Sequence, residues 1–179
     1  QAWGSIIAFD YARRHEDRVS GLAFFESYLR PITDWTMMSL PMQELAAIVN
    51  QEDNAAVLES TDYFIEKLLP RAMLKEMSDE DTIVYRDAIN QTAHHQPLLQ
   101  YLREVPTGAE PAYMTEIISD YSKWLQKTDI PKLLIYGVPG YNATMSTIAW
   151  AKSNLPALTM ADIGPMLHFP QVSCPQEFS

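Results

Sequence analysis

The sequence predicts an α/β domain in which a parallel sheet is interrupted by a helical insertion. Three observations carry that prediction. Val19–Phe25 is a short, dense apolar run without alternation, the pattern of a central parallel strand buried on both faces. Pro131–Gly137, a buried strand with a glycine at its exit, and Leu158–Ile163 restore the strand pattern later, each set off by helical segments. Between the first strand and the later ones, from Arg30 to about Pro106, only short helical pieces occur.

Taken in order, Gly4–Arg14 reads as a helix. Ile6, Ile7, Phe9, Tyr11 and Ala12 cluster at helical spacing. Arg13, Arg14 and His15 fall in its last turn, where positive charge suits the dipole, so His15 reads as a surface residue. The first strand ends abruptly at Glu26-Ser27, which puts a carboxylate on the sheet edge where α/β proteins place their sites. The helical pieces that follow are Met42–Val49, Ala55–Leu69, Asp79–Ile89 and Pro97–Arg103, punctuated by Pro31, Pro41, Pro70, Pro97 and Pro106. Ser78-Asp79-Glu80-Asp81 is a helix start with acids in the first turn. Met37, Met38, Met73 and Met77 are expected to pack this insertion, which has the form of a cap over an α/β site. Tyr113–Leu125 is amphipathic, built on Ile117, Ile118, Tyr121, Trp124 and Leu125, and Thr144–Lys152 is helical. The loop Gly164–Pro170 carries His168, and the last residues begin a further helix. The expected division is core over 1–29, cap over 30–108 and core over 109–179.

Composition sets broad limits. Of 179 residues, 47% are hydrophobic and 20% charged, enough for one domain with a real core. Twelve prolines against six glycines favour defined loops. A formal net charge of −10 argues against nucleic acid and anionic membrane as partners. The single cysteine, Cys174, cannot form an internal disulfide and reads as a partly buried thiol. No stretch approaches a membrane span, and the expected location is cytoplasmic. The chain opens inside a motif, so the true N-terminus, further strands and any leader are expected upstream, and a larger parent chain or partner is expected to cover the sheet edge. His94-His95 lacks the spaced carboxylates or cysteines of a metal site and reads as a solvated loop.

Three positions stand in loops after predicted strands: Ala2, Glu26 and His168. Gln1-Ala2-Trp3-Gly4-Ser5, running straight into an apolar helix, has the form of a nucleophile elbow, the sharp turn that presents one reactive side chain. The chain order of nucleophile position, acid and histidine is that of the α/β-hydrolases. Alanine, however, has no lone pair to offer.

Further segments accompany these: Phe9-Asp10-Tyr11-Ala12-Arg13-Arg14-His15 with Asp17-Arg18-Val19, and Gly21-Leu22-Ala23-Phe24-Phe25-Glu26 with Arg30-Pro31-Ile32 and Trp35. Tyr63-Phe64-Ile65-Glu66 leads to Leu69-Pro70 in the cap. Pro131-Lys132-Leu133-Leu134, Pro139-Gly140, Asp162-Ile163-Gly164-Pro165, Leu167-His168-Phe169 and Gln171 complete the set. In combination they resemble the haloalkane dehalogenases, of the α/β-hydrolase superfamily and the subgroup that includes Renilla-type luciferases. The resemblance implies hydrolysis of a small halogenated aliphatic substrate to an alcohol and a halide ion, without metal or organic cofactor. It implies an aspartate nucleophile where this chain has Ala2, Glu26 as the acid that orients the histidine, and His168 as general base. It implies Trp3 as an N–H donor to the halide, with a second donor upstream, and Phe64, Leu68 and Asn142 as pocket residues. The family's other location for the acid falls at Gly137–Asn142, which holds no carboxylate; that supports Glu26.

Two departures stand out. Ala2 removes the nucleophile, as an engineered knockout that traps substrate or as a natural loss. Where the family commonly has Gln-Glu-Asp and proline after the histidine, this chain has Gln171-Val172-Ser173-Cys174-Pro175. Other readings stay open: an epoxide hydrolase, although Tyr63, Tyr85 and Tyr101 sit in no recognisable motif; a coelenterazine-type luciferase; and a pocket that binds ligand without turnover.

Overall fold

The computed structural model describes residues 1–49, 63–89, 95–106 and 110–179. Helix α1 (Ala2–Arg14) buries Ala2, Ser5, Ile6, Phe9 and Ala12 on one stripe, the three-to-four spacing of an amphipathic helix. Its last turn holds Arg13 and Arg14, both paired with Asp10. A single 3₁₀ turn, Glu16–Arg18, leads to strand β1 (Leu22–Phe24). Strand β2 (Lys132–Pro139) pairs in parallel with β1 and with β3 (Leu158–Met166), giving the order β1-β2-β3. Helix α6 (Ala112–Leu125) packs on α1, and α7 (Met145–Asn154) crosses from β2 to β3. Phe9 stands edge-on to Phe24, with ring centroids 5.1 Å apart, and lies 5.4 Å from the ring of Tyr121. One apolar core therefore joins α1, β1, β2, α6 and α7.

The first strand differs from expectation. It spans three residues rather than seven, lies at an edge of the sheet among the described residues, and leaves Ala23 exposed. The backbone explains its length. Val19 still closes the 3₁₀ turn by donating to the Glu16 carbonyl, and at Glu26 the chain takes a left-handed φ of 46° that turns it out of the sheet. Strands β2 and β3, by contrast, run past their predicted ends. A bulge between Tyr136 and Val138 carries them on. At Gly137 the strands approach so closely that a Cβ would stand 2.2 Å from the Gly164 carbonyl oxygen.

Between β1 and α6, the elements among the described residues are helical. They are a 3₁₀ turn at Trp35–Met37, α2 (Leu40–Val49), a π-helical turn at Phe64–Leu68 continuing into α3 (Leu69–Arg71), α4 (Asp79–Ile89) and α5 (His95–Arg103). Ser78 starts α4 as predicted, its hydroxyl accepting from the Asp81 backbone N–H at 3.1 Å. Met38, Met42, Leu45, Ala46, Ala72, Leu102 and Val105 bury together with Tyr141, which reaches them from the end of β2. Residues 55–62 of the predicted Ala55–Leu69 helix, and His94, lie outside the described residues. His95 begins α5 rather than sitting in a loop. After β3 come two short turns of helix, α8 (Pro170–Ser173) and α9 (Pro175–Phe178). Among the described residues, no helix is long and apolar enough to cross a membrane.

Candidate active site

Parallel strands bring their C-terminal ends to one edge of the sheet, and the loops after β1, β2 and β3 meet there. Glu26, just beyond β1, is fully buried. Its carboxylate is saturated with donors. Oε1 accepts from the Tyr141 backbone N–H at 3.0 Å, and Oε2 accepts from the Asn142 N–H at 2.7 Å. Oε2 also lies 3.0 Å from Nδ1 of His168, which follows β3. A buried carboxylate bonded to the histidine Nδ1 fixes the ring's tautomer and orientation.

The histidine is held from several sides. Its backbone N–H donates to the Ala72 carbonyl at 2.9 Å, and the Gln1 side-chain amide donates to its carbonyl. Its ring lies 5.3 Å from that of Tyr141 and 4.8 Å from that of Phe169. Gly140 makes the loop after β2 possible. It has φ +71°, and a Cβ there would stand 2.3 Å from the Ala143 carbonyl and 3.3 Å from Glu26 Oε1. Any side chain at that point would crowd the carboxylate.

Ala2 begins α1 with φ +44°, and its N–H donates to the Glu26 carbonyl at 3.0 Å. For a residue with a Cβ, that backbone costs on the order of 1–3 kcal/mol, and such strain collects at functional turns. Two of the three left-handed non-glycine residues among the described ones, Ala2 and Glu26, are thus bonded neighbours at this edge. Beside them, the Trp3 indole Nε1 is buried with no hydrogen-bond partner among the described residues. An unpaired buried N–H is costly and asks for an acceptor. The Trp3 ring lies 5.9 Å from that of Tyr101 on α5.

Tyr101 and His168 line a cavity between the sheet edge and the helical segment, with about 30 Å³ of free space. Phe64, Leu68 and Asn142 line it too, as do Tyr28, Tyr141 and the apolar Met42, Leu45 and Leu102. Sequence reasoning missed Tyr28, Tyr141 and the two backbone donors to Glu26. The signal for the latter was Gly140, whose conformation aims the next two N–H groups at one carboxylate. Among the described residues, no group of three His, Cys, Asp or Glu side chains could hold a metal ion. Cys174 is half-buried, and burial pushes its thiol pKa up, which makes it a poor nucleophile.

No family model matches the chain. Curated relatives and solved structures do. A haloalkane dehalogenase of Sphingobium indicum is 30% identical over 178 residues, covering 98% of this chain and 58% of the relative. One from Mycolicibacterium smegmatis is 32% identical over 139 residues, 77% of this chain and 44% of the relative. The crystal structure of the haloalkane dehalogenase DbeA from Bradyrhizobium elkani superposes with a TM-score of 0.87 at 28% identity, covering 98% of this chain and 61% of that one. DatA from Agrobacterium tumefaciens C58, also a haloalkane dehalogenase, gives 0.86 at 26% identity over 99% of this chain and 61% of its own. The chain spans about half the length of the curated relatives it matches. In sequence and in fold, it belongs with the haloalkane dehalogenases, within the α/β-hydrolase class.

Proposed function

We propose that this site is arranged for the hydrolytic half of haloalkane dehalogenation and that Ala2 stands where the nucleophile would act. The buried Glu26–His168 pair beside a largely apolar cavity carries the reading. In the complete reaction a carboxylate oxygen at position 2 attacks the carbon bearing the halogen. The C–O bond forms as the C–halogen bond breaks, and the halide leaves with the electron pair. Trp3 Nε1, otherwise unpaired, donates to that halide. His168 then takes a proton from water, and the resulting hydroxide attacks the ester carbonyl. The alcohol departs, the carboxylate is restored, and the proton passes to solvent. Glu26 stabilises the imidazolium in between.

A methyl group at position 2 cannot open this sequence, so the present chain binds substrate and halide without turnover. The cap is residues 30–108 and the core is the remainder. The test restores the carboxylate: Ala2→Asp in the intact protein is expected to release bromide from short bromoalkanes, whereas the unaltered protein releases none. No bromide from a folded Ala2→Asp protein overturns the reading.

A second reading rests on Tyr101, the one tyrosine of the three considered from the sequence that lines the cavity. Its phenol could donate to the oxygen of an opening epoxide. That reading predicts diol formation from epoxides by Ala2→Asp, lost in Ala2→Asp/Tyr101→Phe; bromide release without any diol rejects it.

A further inference from the structure

Two polar features of the cavity take no part in the dehalogenation steps above. The first is the side chain of Asn142. Its Nδ2 reaches the Glu26 carbonyl oxygen at 3.5 Å, which fixes the amide orientation, since the reverse would set two oxygens against each other. Oδ1 is left buried, with no partner among the described residues. The second is a set of three phenols, Tyr28, Tyr101 and Tyr141, lining the same cavity. Burial holds the Tyr28 and Tyr101 hydroxyls above their ordinary range, so each remains a neutral group that can both donate and accept.

A simple haloalkane answers neither feature. Its halide can accept from Trp3 but cannot donate to Asn142 Oδ1. A carboxylate or a ketone has no proton for Oδ1 either. A hydroxyl has what both features need: it donates to Oδ1 and accepts from a phenol. We propose that this pocket selects short haloalcohols over plain haloalkanes, with Asn142 as the specificity-determining residue. The proposal rests on the dehalogenase reading and names its substrate class.

Asn142 also borders a second void of about 10 Å³, shared with Arg30, whose Nε is likewise unpaired. A water bridging Arg30 Nε and Asn142 Oδ1 there would satisfy the acceptor without any substrate, and it is the arrangement the experiment must exclude. Calorimetric titration of the unaltered protein compares terminal bromopropanol with bromobutane, which differ by a hydroxyl in place of a methyl. In a purely apolar pocket the bromoalkane binds better, because the hydroxyl loses its water. Here the bromoalcohol is expected to bind about tenfold tighter, and Asn142→Leu is expected to abolish or reverse that order. Asn142→Ser, which keeps an acceptor at smaller volume, should retain part of the preference. Equal affinities in the unaltered protein, or a preference that survives in Asn142→Leu, overturn the proposal while leaving the dehalogenase reading intact. If neither bromo compound binds, both readings fall.

Discussion

Glu26 and Lys132 sit at opposite ends of the same sheet, and both are charged groups buried almost completely. Each is fully coordinated. Lys132 Nζ donates to the carbonyls of Thr128, Ile130 and Pro156 at 2.7, 3.0 and 2.9 Å. Glu26 accepts from two backbone N–H groups and then from His168. The difference lies in the third partner. The lysine spends every proton on fixed carbonyls that have nothing to exchange, so it pins the loop before β2 to the turn before β3. The carboxylate spends one bond on a group that can gain and lose a proton beside a cavity. Burial of a charge alone does not mark function; a titratable partner facing open space does.

This contrast can be broken by substitution. The largest effect is expected from Glu26→Gln in the Ala2→Asp background. It keeps the shape but weakens support for the imidazolium, so steady-state hydrolysis should fall by about 10²–10⁴-fold, while the first bromide is still released. An equal loss of the burst and the steady-state rate would mean that Glu26 acts structurally. Lys132→Met should show the reverse pattern. Three buried carbonyls lose their donor, costing about 3 kcal/mol of stability or more, seen as a lower midpoint in urea, with ligand affinity of the remaining folded protein unchanged. A Lys132→Met protein with full stability and impaired binding would erase the distinction.

A smaller effect belongs to Glu16, near the lysine end. The Thr128 hydroxyl and the Trp124 indole donate to its carboxylate and hold its pKa below the ordinary 4.5. A lowered carboxyl pKa adds stability that is complete above the ordinary value and is lost as pH falls through the lowered one. Glu16→Gln should therefore lower stability at neutral pH, flatten the curve below about pH 4.5, and converge on the unaltered protein at acid pH. A parallel offset at every pH would assign Glu16 a role independent of its charge.

The Glu26–His168 end was more legible in the sequence than the Lys132 end. Glu26 and His168 could be read because a parallel sheet carries the ends of distant strands to one edge, so an acid and a histidine just after strand-like runs must meet. Lys132 could not, because a lysine at the start of an apolar run gives no sign that three carbonyls will close around it. The extent of the strands was also hidden. The pattern ends the strands at Gly137 and Ile163, yet the bulge at Gly137 lets β2 and β3 continue together to Pro139 and Met166. The run Val19–Phe25 suggested a long central strand, but the turn before it and the left-handed Glu26 after it leave only three paired residues. The roles of Tyr28 and Tyr141 depended on where the helices between β1 and α6 came to rest, which periodicity within one segment does not specify.

In the proposed reaction, the Glu26–His168 pair serves the second step of a two-step hydrolysis whose first step needs a carboxylate at position 2. Mass spectrometry of the Ala2→Asp/His168→Ala protein after incubation with bromobutane tests this most directly. One bromide released per chain and a stable increase in mass by one butyl group are expected, against rapid turnover and no lasting adduct in Ala2→Asp alone. A double variant that turns over as fast as Ala2→Asp, or a folded pair of variants that neither forms the adduct nor releases bromide, would contradict it.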